Sequence, residues 1–559
     1  MSISKSVILW YNADIITMDP ERPRAEAMVT SGERIEHTGS LEEARKQAYE
    51  KARKACKTGG YETVDLGGKT VVPGFNDNHV HTVMFGEHLL QPDLSGMDRE
   101  EIVRTLEERY FNDDAPGGSE ADGGRFQYLL DRLFNRRDPI VGYGWDYPSC
   151  PDPDKEFLDR HFPDRPVMLV QFSGHGQWLN SRALEILGIK KGSQDPPVGF
   201  VERRSDGEPT GIIREMVTNK LVMRHILKIH FNRRRRDRRL RRALEEYKRL
   251  GITSVQDNTW FFPTVFSLKR LRRRGELTCR FSSWSYVLKW WSPVFMGLLR
   301  YDRYWVRGGL LKHFLDGTFS TKSAWLWEPY ADETDNYGKG TPAPTIKEML
   351  IPLARKSKQG AFHVIGDRTV SEFLDAYEQV LERYPGLKTL RTRLEHVQLI
   401  RSEDIRRAAE LGVLIASQPP AMTTPEKDRN LLGEKRLQKA YPYRLLLDSG
   451  AHLSFGSDIP GESFCSPLRA MHLAVNRETA ANNITAEEAL RCYTTGSAYA
   501  EFAEDEKGVL KPGMLADFVV LSEDPTTVPP ERIKEITVTK TVTGGNVVYN
   551  RPIIESSID

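Results

Sequence analysis

From Gly251 onward, seven short apolar runs recur along the chain: GITSVQDN, CRFSSWSYV, GLLKHFLDG, GAFHVIGD, RTRLEHVQ, GVLIASQPP and AHLSFGSD. Each has the length of a buried strand and is followed by a helical or loop stretch, the pattern of parallel strands covered on both faces. The run TVVPGFNDNHVH, far upstream, makes eight. Eight strands alternating with helices predict a (β/α)8 TIM barrel, an α/β fold that gathers its chemistry at the C-terminal strand ends. The polar residues of these runs fall at those ends.

The spacing is uneven in one place. Between His81 and Gly251 lies several times the chain that one strand-helix unit needs. An inserted subdomain is expected there, over about 88–245, after the first strand of a barrel spanning 71–504. Residues 1–70 and 505–559 both read as short β segments punctuated by Gly and Pro, which predicts a small β-sandwich built from both chain termini. The insert ends in NRRRRDRRLRRALEEYKRL, with eight arginines between Arg233 and Arg242. Acidic residues follow at once and no aromatic platform accompanies the run, so it reads as a solvated helix face rather than a nucleic-acid contact.

Composition removes whole classes of function. Lys plus Arg total 80 against 78 Asp plus Glu, a formal net charge of +2, too little to hold nucleic acid or an anionic membrane through a global field. No window offers the roughly 18 uncharged apolar residues that span a bilayer. The five cysteines lie apart with no C-x-x-C pair, which excludes a disulfide framework and a thiolate zinc site. The expectation is a cytoplasmic protein with a small-molecule substrate and with neither nucleic acid nor membrane as partner.

The sharpest local signal is His79 and His81 in GFNDNHVH. Side chains alternate along a strand, so residues two apart share a face and both imidazoles can reach one metal. Later strand ends offer Lys312, His363, His396 and Asp458. A lysine inside an apolar strand is costly to bury as an ammonium; as a neutral amine it can add carbon dioxide and become an anionic carbamate able to bridge two divalent ions. Asp77 and Asp316 are placed to orient ligands, or to serve as loop carboxylates. Asp367 and Arg368 form an ion pair at the barrel mouth or touch substrate. His313 must point to the face of its strand opposite Lys312. Trp284, Trp325 and Trp327 line an apolar substrate group or belong to the core.

An ordered series of motifs covers nearly the whole chain: ADIITMDP, VVPGFNDNHVH, GYGWD, SGHGQWLNSRAL, GEPTGIIRE, LLKHFLDGTFS, HVIGDR, RLEHVQ, FGSDIP, ALRCYTTGSAYA and GVLKPGMLADFVVL. The series resembles the amidohydrolase superfamily, specifically amidohydrolase family 3, the YtcJ-like metal-dependent hydrolases. The resemblance implies that His79, His81, Lys312 as a carboxylated lysine, His363, His396 and Asp458 bind metal. Two Zn2+ bridged by Lys312 are the first expectation. It further implies hydrolysis of a non-peptide C–N bond, in an amide, N-acyl or N-formyl compound, by attack of a metal-bound hydroxide, with Asp458 as general base and then general acid. His175 would bond the substrate carbonyl and Trp145 would face the substrate, with packing as the alternative for Trp145; Arg368 is carried as a further substrate contact. Ser173 stands where the family usually carries an aspartate before Gly-His. The alternative activity is a mononuclear deaminase of a heterocyclic amine, in which Lys312 stays unmodified. A silent scaffold would have lost ligands, and none of the six is missing. The resemblance permits a homodimer.

Overall fold

Both ends of the chain feed one sheet. The computed structural model describes residues 6–55, 60–111, 139–171, 176–195, 200–214, 220–259, 261–286, 301–423 and 425–552. Strands are numbered along the chain. From the first end come β1 (Val7–Ile16), β2 (Arg24–Ala25), β3 (Ala27–Ser31), β4 (Arg34–Gly39) and β5 (Glu62–Pro73); from the second come β19 (Phe518–Leu521), β20 (Val538–Thr543) and β21 (Asn546–Asn550). They order as β21-β20-β19-β5-β1-β3-β4, with β2 on β1. β5 is the joint, parallel to β1 and antiparallel to β19, so that Val71 sits between Ile15 and Val520. Trp10, Met28, Val71, Phe518 and Val542 fill the core of this β-rich domain. The helix Leu41–Ala55 lays Ala44, Ala48 and Ala52, spaced one turn apart, on Val7, Leu9 and Val29.

β5 runs on into the barrel. Its eight parallel strands are β6 (Phe75–Val80), β12 (Ile252–Asp257), β13 (Arg280–Tyr286), β14 (Val306–Phe314), β15 (Gly360–Val364), β16 (Arg393–His396), β17 (Leu414–Ser417) and β18 (Leu453–Phe455), neighbours in that order. Every residue of β6, β12, β16, β17 and β18 is buried, as expected of strands packed on both faces. The first and last strands meet just past their C-terminal ends, where Asp458 N donates to His79 O at 2.7 Å and His81 N to Ile459 O at 2.9 Å. The predicted TIM barrel with a β-rich domain from both termini is therefore observed, and the extra chain after the first strand forms a separate sheet. Among the described residues no helix is long and apolar enough to cross a membrane.

That chain is its own compact unit, Gly86–Arg239, the remainder of the protein being the other. Its sheet holds β7 (Ile140–Trp145), β8 (Val167–Gln171), β9 (Gly176–Leu179), β10 (Phe200–Arg203) and β11 (Pro209–Arg214) in the order β10-β11-β9-β8-β7. Asn180 caps the helix Ser181–Leu187 by accepting from Ala183 N, and its amide also binds Phe162 O and Arg165 O. The arginine run departs from a wholly solvated face. Arg236 and Arg239 are buried, because Glu87 meets Arg239 at 2.6 Å and His225 at 2.7 Å while Arg236 donates to the His230 carbonyl.

Candidate metal centre

The end of β6 brings two imidazoles to one point. His79 Nε2 and His81 Nε2 lie 3.5 and 3.1 Å from the same oxygen, Asp458 Oδ1. Asp458 arrives from the last strand, just after β18, where a side chain on Gly456 would press to within 2.4 Å of Asn78 Oδ1 and 2.6 Å of His79 N. Glycine at 456 is what lets the last strand close so tightly on the first. Asp458 takes a φ of +55° and His396 one of +76°, left-handed backbone that an aspartate or histidine adopts at a cost and that gathers at functional sites.

The orientation of His79 is fixed from both sides. Asn258 Nδ2 approaches Nε2 at 3.2 Å, and Nδ1 lies 2.8 Å from Glu395 Oε2. An amide nitrogen can only donate, so Nε2 carries the lone pair and Nδ1–H is given to the carboxylate, the arrangement that raises the basicity of a metal-binding imidazole. Burial alone would raise the Glu395 carboxyl, but Arg393 and His79 hold it down at about 2. Burial lowers His79, and the nearby Lys312 adds to the effect. His363 is lowered to about 4 by burial and Lys312, so its imidazole is a neutral donor near pH 7. Burial would also raise Asp458, yet His79 and His81 outweigh it and keep the carboxylate well below its ordinary range.

His396 extends the cluster, its ring centre 5.2 Å from that of His79 and 4.4 Å from that of His363. His363 lies at Gly317 O with Nε2, 3.1 Å away; donation there leaves the Nδ1 lone pair. Lys312, two residues before the end of β14, is 2% exposed and feels Glu395 and Asp458 as its nearest acids. Among the described residues Lys312 Nζ, His396 Nδ1 and Asp458 Oδ1 are buried here without a hydrogen-bond partner, as are Asp77 Oδ2, Asn78 Oδ1 and Asn258 Oδ1. Buried polar atoms are otherwise almost always paired. Imidazole nitrogens and a carboxylate oxygen converging without protons to share are the donor set of a divalent cation, so the residues fit a metal.

The surrounding residues fall into place around this cluster. Asp77 accepts from the backbone of Ser457 at 2.9 Å and of His79 at 3.2 Å, tying the first strand to the last, and burial raises its carboxyl to about 7. Asp316 accepts from Ile365 N, Gly366 N and Thr369 Oγ1, holding the helix that follows β15; burial raises it to about 6. His313 stacks on Phe362, on the face of β14 opposite Lys312. Trp284 is a core residue that meets His79 edge-on at 5.1 Å. Arg368 lies between the rings of Trp325 and Trp327, and Asp367 turns to backbone amides instead of pairing with it. Trp145 has no exposed surface; it packs on Tyr147 and Trp178 and donates to Leu169 O, the packing role that the sequence left open beside a substrate-facing one. His175 and Ser173 lie outside the described residues. Glu395, Arg393 and Asn258 were not singled out from sequence. The signal for two of them was present, since Arg393 and Glu395 are two apart on a strand that ends in His396.

The model of the amidohydrolase family matches residues 62–549. This chain belongs to that family. It is a hydrolase acting on carbon–nitrogen bonds other than peptide bonds. The amidohydrolase is 28% identical to the Bacillus subtilis protein YtcJ, over 97% of this chain and 99% of that one. It is equally 28% identical to an N-substituted formamide deformylase of Arthrobacter pascens, over 97% of this chain and 98% of the relative. A solved metal-dependent hydrolase from Pyrococcus furiosus superposes with a TM-score of 0.73 at 27% identity, covering 93% of this chain and 100% of the other.

Proposed function

We propose that this amidohydrolase cleaves an amide, N-acyl or N-formyl compound with two divalent cations, zinc by preference, held by His79, His81, Lys312, His363, His396 and Asp458. One observation carries the reading: His79 Nε2 and His81 Nε2 lie within 3.5 Å of Asp458 Oδ1, the three ligand atoms fall within 4.8 Å of one another, and Lys312 Nζ and His396 Nδ1 are buried without a partner among the described residues. Imidazole nitrogens and a carboxylate suit zinc. The relative named as an N-substituted formamide deformylase supports N-formyl compounds among the candidates.

Lys312, as a carbamate, would be the anionic ligand that helps hold the cations. Burial lowers its ammonium to about 8, so an appreciable fraction of neutral amine exists near neutral pH. That amine attacks carbon dioxide, forming an N–C bond and releasing one proton, and the resulting carbamate presents two anionic oxygens. Bound divalent cations acidify water toward a pKa of about 7 and polarise a carbonyl. Asp458, kept ionised by His79 and His81, takes the proton of the attacking water and returns it to the leaving nitrogen. Glu395 holds the His79 ring in one tautomer by accepting from Nδ1, which leaves Nε2 as the donor atom. Arg368 supplies a substrate contact.

The test is metal content per chain by plasma mass spectrometry on protein purified without chelator, with native intact mass. About two metals and a mass gain of one carbon dioxide, lost in Lys312→Ala, are expected. One metal and an unmodified lysine would overturn the binuclear reading in favour of a mononuclear deaminase, to be tried on amine-bearing heterocycles.

A further inference from the structure

One cation near the barrel mouth has been prepared and left unpaired. The guanidinium of Arg368 lies 4.4 Å from the Trp325 ring and 4.8 Å from the Trp327 ring. Arg368 has no ion pair and no side-chain hydrogen bond among the described residues, and its Nε is buried without a partner. Arg401 shows that the omission is specific. It lies 5.0 Å from the same Trp327 ring, yet it is paired with Glu403 at 3.1 Å and Asp404 at 3.0 Å.

The setting is built rather than incidental. Trp325 and Trp327 sit on the loop after β14, the strand of Lys312; Arg368 opens the helix Asp367–Arg383 after β15, the strand of His363. Both therefore belong to the C-terminal end of the barrel, where the chemistry is gathered. A Cβ on Gly366 would come within 2.1 Å of Trp325 O, and one on Gly340 within 2.6 Å of the Trp325 ring, so two glycines press this loop onto the helix. Arg368 N donates to Trp325 O at 3.2 Å, Trp327 N to Asp367 Oδ1 at 3.1 Å and Trp327 Nε1 to Ser371 Oγ at 3.1 Å. The guanidinium is thus seated against two fixed indoles.

We infer that Arg368, held between Trp325 and Trp327, binds a carboxylate of the substrate, and that the substrate class is N-acyl or N-formyl amino acids and related N-acylated carboxylic acids. A stacked guanidinium keeps its donor edge free and aligned, which is what bidentate carboxylate recognition requires. The inference rests on the proposed C–N hydrolysis and narrows its substrates.

A matched pair tests it: N-formylphenylalanine and N-formylphenethylamine differ only by the carboxylate. With the metal-loaded full chain, kcat/KM for the acid should exceed that for the neutral amide by about tenfold or more, the value of a charge-assisted hydrogen-bonded pair. Arg368→Gln should erase that preference by raising KM while leaving kcat nearly unchanged, Arg368→Lys should restore only part of it, and the neutral compound should respond less than about twofold. Equal turnover of the two compounds, or an equal loss of both in Arg368→Gln, would overturn the carboxylate site and leave the hydrolase reading intact. Should neither turn over, calorimetric titration of the same pair reports binding. A tenfold preference that disappears in Arg368→Gln would then support the carboxylate site and count against these scissile bonds, and equal affinities would overturn the site.

Discussion

The two ends of the barrel treat buried charge in opposite ways. At the N-terminal end, Arg280 at the start of β13 gives Nε and Nη2 to the two oxygens of Asp517 at 2.6 and 3.0 Å, and Asp517 also accepts from Gly544 N at 2.7 Å. Trp305 covers the guanidinium at 4.4 Å. At the C-terminal end, Lys312 Nζ, His396 Nδ1 and Asp458 Oδ1 are buried and have no hydrogen-bond partner among the described residues. Complete pairing offsets the cost of burial, whereas incomplete pairing leaves that cost standing. The first end is arranged for stability and the second for something that binds, the division expected of this fold.

The contrast can be broken at either end. The largest effect is expected from Asp458→Asn, which should cut turnover by about 10²–10⁴-fold because an amide cannot carry the proton; steady-state kinetics check the rate, and urea unfolding of the metal-free variant should move by less than about 1 kcal/mol. Arg280→Ala inverts the pattern. It strands Asp517 and should cost about 3–5 kcal/mol in urea unfolding, with kcat per folded molecule unchanged. Chelation of the metal-loaded protein should remove about 2.7 kcal/mol, the stabilisation given by ligand at a hundred times its Kd, seen as a lower calorimetric midpoint in wild type and no shift in His79→Ala.

The smallest effect has the opposite sign. Lys312→Met should lower metal content yet stabilise the metal-free chain by about 1 kcal/mol, since it removes a buried amine that lacks a partner. The same variant sharpens a pH dependence. The folded Lys312 loses its proton near 8, lowered by burial, while the unfolded chain keeps it to about 10.4. Between those values the unfolded state holds the extra proton, so stability of the metal-free wild type should rise with pH over that window. Chemical denaturation from pH 7 to 10 should show the rise in wild type and not in Lys312→Met.

What was legible in the sequence was whatever is encoded locally. Alternation along one strand put His79 and His81 on one face, and the length and order of the apolar runs specified the barrel. What was not legible depends on which distant segments become neighbours. Glu395 meets His79 only once β16 and β6 face each other across the barrel interior. Arg239 is buried because Glu87 lies beneath it, and without that partner an arginine run reads as solvent-facing. Asp367 was a reasonable ion-pair partner for Arg368 by adjacency, but its carboxylate is taken by backbone amides.

The place of β5 also bears on how the protein is made. Its partner on one side, β1, is synthesised before it, but its partner on the other, β19, follows only after the whole barrel has been translated. At about 5–20 residues per second, roughly 20 to 90 s separate the emergence of Pro73 from that of Phe518. For that interval the strand leading directly into His79 presents an open hydrogen-bonding edge, a template for pairing with other chains. Folding of this protein during synthesis therefore depends on keeping one edge covered until the last stretch of chain arrives.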